Sequence, residues 1–324
     1  MASVGSDTSS DEHRALLEGC GLLDRSERGK LALSGEGAIE FLNGQVTNDL
    51  ATLGPGEGCY AAFLTHKGKM LGDVRILLVG ELLLDTERVA LQALFDMIRR
   101  FKVGYDVQLH KRTLERGLLS LIGPQAEAIV AGDRASFERL ANTEHANAPL
   151  QVDGIGALAV RTDVGIDLLC DAADTAALAG VLSARGATTI SQETAECLRV
   201  ERGRPRYGVD LDDSVIPQEG GLNERAVSFT KGCYVGQETV ARLYYKGKPN
   251  RHLRGLLLSG PAASGEQLLL GERPVGRVGS VALSPTLGAI ALALMRREAE
   301  PGSVVSVGEH GASARVLELP FAQT

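Results

Sequence analysis

Tryptophan is absent and aromatic residues make up only 4% of the 324 positions, so Leu, Val, Ile and Ala must build the core. No apolar run reaches the roughly 18 residues of an ordinary membrane helix, which excludes a simple helical span. No CxxC pair occurs among Cys20, Cys59, Cys170, Cys197 and Cys233, so neither a zinc ribbon nor a dithiol redox site is expected. Widely spread thiols, odd in number, read instead as reduced cysteines of a cytoplasmic protein. The opening MASVGSDTSSDEHR has neither an apolar stretch nor an arginine-rich pattern, which argues against a secretory or transit signal. Residues 1–12 read as a disordered tail. An excess of basic charge is also missing. With 34 Lys+Arg against 41 Asp+Glu, the net charge is −7, and a general nucleic-acid binder is not expected, a local basic groove being the alternative. A GxGxxG dinucleotide fingerprint is lacking too, so any oxidation would need a partner.

What the chain does have is length enough for about two domains and 39 glycines, which imply many turns. A short helix is expected from Ser10 to Glu18, and Leu22-Leu23 and Lys30–Leu33 look like strands. Apolar residues Ile39, Leu42 and Val46 have helical spacing within residues 37–50. Strand-like runs at 59–65 and 70–79 flank His66-Lys67-Gly68-Lys69, a hairpin signal. A third run at 81–85 leads into a helix near 86–101, whose last turn is basic. The pattern then recurs in outline: a strand at 117–122, a helix from Gly123-Pro124 to Val130, a hairpin at 157–170, and helices at 174–184 and 191–199. This order suggests α+β units of split βαβ type.

From Arg251 the character changes. Six short runs (252–258, 267–270, 275–282, 289–294, 304–307, 314–319), separated by Gly, Pro and Ser, predict a small antiparallel barrel. Lys246-Gly247-Lys248-Pro249-Asn250 is the natural linker. The expected organisation is therefore a tail over 1–12, an α+β region of two subdomains over 13–247, and a C-terminal β-barrel over 248–324.

The densest chemistry lies between Arg199 and Arg242. Within it, Lys231-Gly232-Cys233-Tyr234-Val235-Gly236-Gln237-Glu238 sets a thiol between glycines and near a lysine, and a neighbouring cation favours the thiolate. A loop cysteine that merely packs is the plainer alternative. The other four cysteines, among apolar neighbours, are expected to be buried core thiols. His66, at the hairpin tip, reads as an exposed turn residue.

KGCYVGQE resembles the signature of YgfZ-type folate-binding proteins, relatives of the aminomethyltransferase (T-protein) of glycine cleavage. Arg199-Val200-Glu201-Arg202-Gly203 is similar to the RxExG stretch of that superfamily, and Asp210 with Ile216-Pro217-Gln218-Glu219 to its sequel. Val275–Ser280 and Ser284–Gly288 resemble the VGxVTS and SPxLG of its barrel, and Phe41–Leu50 its FLxxxxTND helix. The resemblance covers residues of about 20 to 320 in the expected order. It implies a clover-leaf of ferredoxin-like subdomains around a tetrahydrofolate site, closed by the barrel.

By the same resemblance, Glu201 is the carboxylate that takes the amino-pyrimidine edge of a pterin. The alternative is a Glu that ends a helix and pairs with Arg199, Arg202 or Arg204. Arg204, Arg206 and Arg242 are candidates for the glutamate tail of folate, a solvated basic face being the alternative, and Lys231 is a further candidate for cofactor binding. In transferases a carboxylate of the GGxxDD hairpin sits near the folate nitrogens. Here Gly68–Asp73 occupies that place and keeps only the second acid, Asp73, which would orient the amine or buffer a proton. An exposed Asp turned out of a strand is the alternative. Lys69 and Gly72 follow the YgfZ-type pattern, and Cys233 stands where transferases carry Asp in KGDF. Two functions follow. One is a folate-dependent factor for iron–sulfur cluster assembly or repair, supporting cluster enzymes such as those that thiolate tRNA, and acting as a monomer with iron–sulfur proteins as partners. The alternative is a folate-dependent aminomethyl or one-carbon transferase. A single Cys cannot hold a cluster, which takes about four thiolates, so any cluster would be shared with a partner.

Overall fold

The computed structural model describes residues 4–131, 140–308 and 311–321. In chain order the elements begin with α1 (Val4–Glu18), β1 (Gly21–Asp24), β2 (Gly29–Ser34), α2 (Ala38–Asn43), β3 (Gly58–Leu64) and β4 (Met70–Leu78). Next come β5 (Leu82–Thr86), α3 (Leu91–Phe101), β6 (Gln108–Lys111), β7 (Arg116–Ile122) and α4 (Ala126–Val130). They are followed by β8 (Asn147–Val152), β9 (Ile155–Thr162), β10 (Gly165–Asp171), α5 (Thr175–Ala184), β11 (Thr188–Thr189) and α6 (Gln192–Glu201). Two helices, α7 (Asn223–Ala226) and α8 (Gln237–Lys246), precede the last six strands. Those are β12 (Arg251–Leu258), β13 (Gln267–Leu270), β14 (Arg273–Ser284), β15 (Gly288–Arg296), β16 (Val304–Val307) and β17 (Ala312–Leu317). No described helix is long and apolar enough to cross a membrane.

Two compact units divide the chain, and the division is not serial. One comprises residues 1–63 and 73–192; the other comprises residues 64–72 and 193–324. The first unit holds two sheets, ordered β3-β4-β5-β2-β6 and β11-β1-β7-β10-β9-β8. Ala32, Leu77 and Leu83 of one sheet meet Leu118, Val160 and Leu169 of the other in a dry core. Charge is buried beside it. Arg75 of β4 reaches Asp85 on β5 at 2.9 Å and Asp167 on β10 at 2.6 Å, and Ser120 donates to Asp167 at 2.6 Å. Arg28 holds the other oxygen of Asp85 at 2.7 Å and also pairs with Glu87. Burial alone would raise the Asp85 carboxyl, but Arg28 and Arg75 together hold it at about 2.

In the second unit the six C-terminal strands close into a barrel in the order β12-β15-β14-β13-β16-β17. Its interior is filled by residues such as Leu256, Leu268, Val275, Met295 and Val316. Val200 of α6 packs with Leu253, Ile290, Leu292 and Phe321, so the helix that ends in Glu201 is anchored to the barrel wall. Each expected run from 252 to 319 corresponds to one of these strands, within a few residues at either end.

Three expectations need correction. The first helix begins at Val4, so the described part of the segment read as a tail is helical, and no proline interrupts it. Residues 1–3 lie outside the described residues. The helix expected over 37–50 stops at Asn43, because Gly44 follows and Val46 leaves to form an antiparallel bridge with Phe63. Among the cysteines expected to be buried, Cys59 is only half-buried, since it begins an edge strand, whereas Cys20, Cys170 and Cys197 are buried.

Candidate functional site

The segment after α6 is built around one carboxylate. Asp210 is sealed from solvent, and its oxygens accept from the Ser280 N–H at 2.7 Å, the Ser280 hydroxyl at 3.0 Å and the Arg206 N–H at 2.9 Å. A Cβ on Gly279 would lie 2.5 Å from the Asp210 carboxylate, so this barrel position admits no side chain. Arg199 joins the same centre. Its guanidinium forks onto Glu196 and meets Asp210 at 3.0 Å and the Ser280 hydroxyl at 2.5 Å. Burial works against the Arg199 cation, but these partners more than offset it and hold the arginine firmly charged. Arg206 completes the frame with a 3.0 Å ion pair to Glu196. A candidate for the folate tail is thereby committed to holding α6 and the following loop together.

Glu201 stands at the last position of α6, half-buried, with the Cys197 thiol 3.6 Å from its Oε1. Burial and the Glu201 charge push that thiol up to about 12, so Cys197 stays protonated at neutral pH and is no nucleophile. Cys20, pushed up by burial to about 11, is equally inert. Arg204 lies half-buried just after Glu201, its carbonyl accepting from Arg199; Arg242 is exposed on α8.

Cys233 is the exposed one of the five cysteines. Lys231 is buried, and its ammonium lies over the Tyr234 ring at 5.3 Å, a cation–π contact beneath the loop. Gly236, with φ 83°, starts α8 from the left-handed region. A Cβ there would sit 2.6 Å from the Thr65 carbonyl and 3.1 Å from the Gly68 Cα. The loop carrying the thiol is thus pressed against the turn of the β3–β4 hairpin. That turn is held in place by Met70 N–H donating to the Val215 carbonyl at 2.9 Å and by Lys69 Nζ donating to the Ser214 carbonyl at 2.7 Å. His66 is exposed at its tip, as expected. Gly68-Lys69 and KGCYVGQE, far apart in sequence, are neighbours.

Asp73 belongs to the other compact unit, on β4. It is not the exposed alternative. Asp73 is buried, and the Tyr60 hydroxyl donates to its Oδ2 at 2.5 Å, while Thr86 donates to its main-chain oxygen at 2.6 Å. Burial pushes the carboxyl up and nearby Glu87 adds to this, against the hydrogen bond from Tyr60 and the charge of Arg28.

Two family models match the chain: the GCVT N-terminal domain over residues 3–231 and the glycine cleavage T-protein C-terminal barrel domain over residues 251–323. The chain belongs to the glycine cleavage T-protein family. It is 32% identical over 322 residues to an aminomethyltransferase of Rubrobacter xylanophilus, covering 96% of this chain and 85% of that relative. An aminomethyltransferase of Geobacillus kaustophilus is 31% identical over 328 residues, covering 96% and 89%. Among solved structures, the glycine cleavage system aminomethyltransferase T from Bartonella henselae superposes with a TM-score of 0.83. It is 24% identical and covers 97% of this chain and 89% of that one, which establishes the T-protein fold here.

Tyr60 is the partner that motif reading missed. It precedes the hairpin turn by only a few residues, and its bond to Asp73 follows from strands that neighbour each other in the sheet. This pairing makes a testable prediction. A carboxyl raised by burial weakens folding as pH climbs through its folded-state pKa, because the unfolded chain releases the proton more readily. Asp73→Asn keeps an acceptor for Tyr60 and removes the charge. It should therefore match or exceed the wild-type stability at pH 7 in a urea titration. A loss of more than about 1 kcal/mol would mean that the carboxylate charge itself holds the strand pair.

Proposed function

We propose that the protein binds a reduced folate and supports the assembly or repair of iron–sulfur clusters, in the manner of YgfZ-type members of the superfamily. The observation that carries this reading is the exposed Cys233, in a loop seated through Gly236 on the Gly68-Lys69 turn. The two places where the sequence departs from the transferase pattern thus form one surface, and the thiol on it is solvent-accessible.

The donor set suits a folate. A half-buried carboxylate at Glu201 can accept two hydrogen bonds from an amino-pyrimidine edge. Arg204 and Arg242 are cations for a carboxylate tail. In this reading Arg206 is a positioning residue, and Lys231 fixes the loop through Tyr234 beneath the thiol. Asp73 orients the reactive part of the folate or exchanges its proton. Residues 13–247 are assigned to the folate-binding region and 248–324 to the barrel. The cluster is cargo, shared with client iron–sulfur proteins, since one thiolate is far short of the usual four or so.

A second reading has a specific observation in its favour: relatives 31% and 32% identical carry the name aminomethyltransferase. Here the reaction would be one-carbon transfer to tetrahydrofolate. One variant separates the two. Cys233→Ser keeps the size and removes the soft ligand and nucleophile. The variant should bind tetrahydrofolate like the wild type and yet fail to restore cluster-enzyme activity in cells lacking the protein. Full rescue by the serine variant removes the thiol mechanism. Robust glycine-cleavage turnover with the lipoylated carrier protein would favour transfer.

A further inference from the structure

Three arginines share one patch of the barrel wall. Arg251 on β12 stands directly opposite Arg296 on β15, and Arg277 on β14 stands opposite Leu294, two residues before Arg296 on the same strand face. Like charges directly opposite on neighbouring strands destabilise a sheet unless something neutralises them. Only one of the three is neutralised within the described residues. Arg251 forks onto Glu219 at 3.0 and 2.8 Å. The Arg296 guanidinium makes no hydrogen bond or ion pair among the described residues, and the nearby Glu298 is paired with Arg273 at 3.1 Å. Arg277 reaches only the Gly265 carbonyl, at 3.5 Å.

All three line one cavity of about 510 Å³, together with Ser214, Ser264 and Gln267. Two acids also border it, and among the described residues neither is ion-paired to any of the three arginines. Asp210 is consumed by Ser280, Arg199 and Arg206, as described, and Asp212 accepts from the Ser214 N–H at 2.8 Å. The volume exceeds what a bare ion needs and falls within the roughly 300–1,000 Å³ of small-molecule sites. Two uncommitted guanidinium forks, with hydroxyl and amide donors around them, call for a ligand group rich in acceptor oxygens. A phosphate supplies three, with charge close to −2.

We propose that this cavity binds a small organic phosphate, at a site separate from the residues assigned to folate. The phosphate sits between Arg277 and Arg296, with the exposed edge of Arg251 and the serine hydroxyls completing its shell. The organic part fills the rest of the cavity. Binding relieves the repulsion among the arginines, so occupancy also stabilises the barrel.

Inorganic pyrophosphate is a suitable probe, titrated by calorimetry into the full-length protein at low ionic strength, with citrate as a carboxylate control. The expected result is saturable binding with one site per chain, weakened at least about tenfold in Arg277→Gln/Arg296→Gln. Tetrahydrofolate affinity should be the same in both proteins, which keeps this site distinct from the folate reading. Since both arginines are exposed and their repulsion is lost, the double variant should melt at or above the wild-type temperature without ligand; if it melts lower, Arg296→Gln alone serves for the comparison. Absence of saturable binding, equal binding by the variant, or citrate binding as tightly as pyrophosphate would each overturn the proposal.

Discussion

Arg75→Leu is expected to cost about 3–5 kcal/mol of folding stability, because it takes an ion-pair partner from two buried carboxylates at once. Asp85 would keep Arg28, but Asp167 would lose its 2.6 Å ion pair and keep the Ser120 hydroxyl on β7. Urea denaturation at pH 7 measures the loss directly, and a change below about 1 kcal/mol would show that the network is incidental. The same experiment repeated down the acid range tests the electrostatics. The Asp85 carboxyl is held at about 2, below its usual 3.8, so it contributes stability that is fully present above roughly pH 4 and is lost as pH falls through 2. That contribution is about 2 kcal/mol. Removing Arg75 takes away one of the two cations that lower it, so the acid limb of the variant should begin at a higher pH than that of the wild type.

Glu201→Gln should weaken tetrahydrofolate binding about ten- to a hundredfold, the loss expected when a charged acceptor of a buried hydrogen-bonded pair becomes neutral. Gln retains one acceptor oxygen and the length of the side chain, so α6 and its contact with the barrel at Val200 should persist. Arg202→Gln, on an exposed side chain next to it, should leave the affinity within about twofold. Equal losses in the two variants would mean that the carboxylate is not the pterin anchor. Because Cys197 owes part of its raised pKa to the Glu201 charge, the same substitution should also make that thiol somewhat easier to ionise and faster to alkylate.

The barrel was legible in the sequence almost strand by strand. Half of its pairings (β13–β14, β14–β15 and β16–β17) join consecutive runs, and alternating burial such as that of Val304–Val307 leaves a period-two signature. The first half was legible only as a set of elements. β1 and β2 are separated by a few residues, yet β1 pairs with β7 and β11 while β2 pairs with β5 and β6. A parallel pairing such as Gly21 with Thr188 is decided by tertiary packing, and no local periodicity announces it. At the candidate site, motif resemblance singled out Cys233 and Glu201 because their neighbours are distinctive. It could not tell that Arg206 is engaged by Glu196 or that Asp73 is covered by Tyr60. Those pairings depend on which way a loop turns after α6 and on which strand faces which, information that a string of residue types does not hold.

The hairpin turn over residues 64–72 also sets a timetable for the ribosome. Lys69 takes its hydrogen-bond acceptor from Ser214, 145 residues later in the chain. At a synthesis rate of about 5–20 residues per second, the turn emerges roughly 7–30 seconds before that acceptor exists. During that interval the stalk of the hairpin can join its sheet while the Lys69 ammonium and the Met70 N–H wait for Ser214 and Val215. Chains halted between residues 72 and 214 would therefore display an incomplete ribbon end of the kind that chaperones recognise and that neighbouring nascent chains on a polysome can pair with.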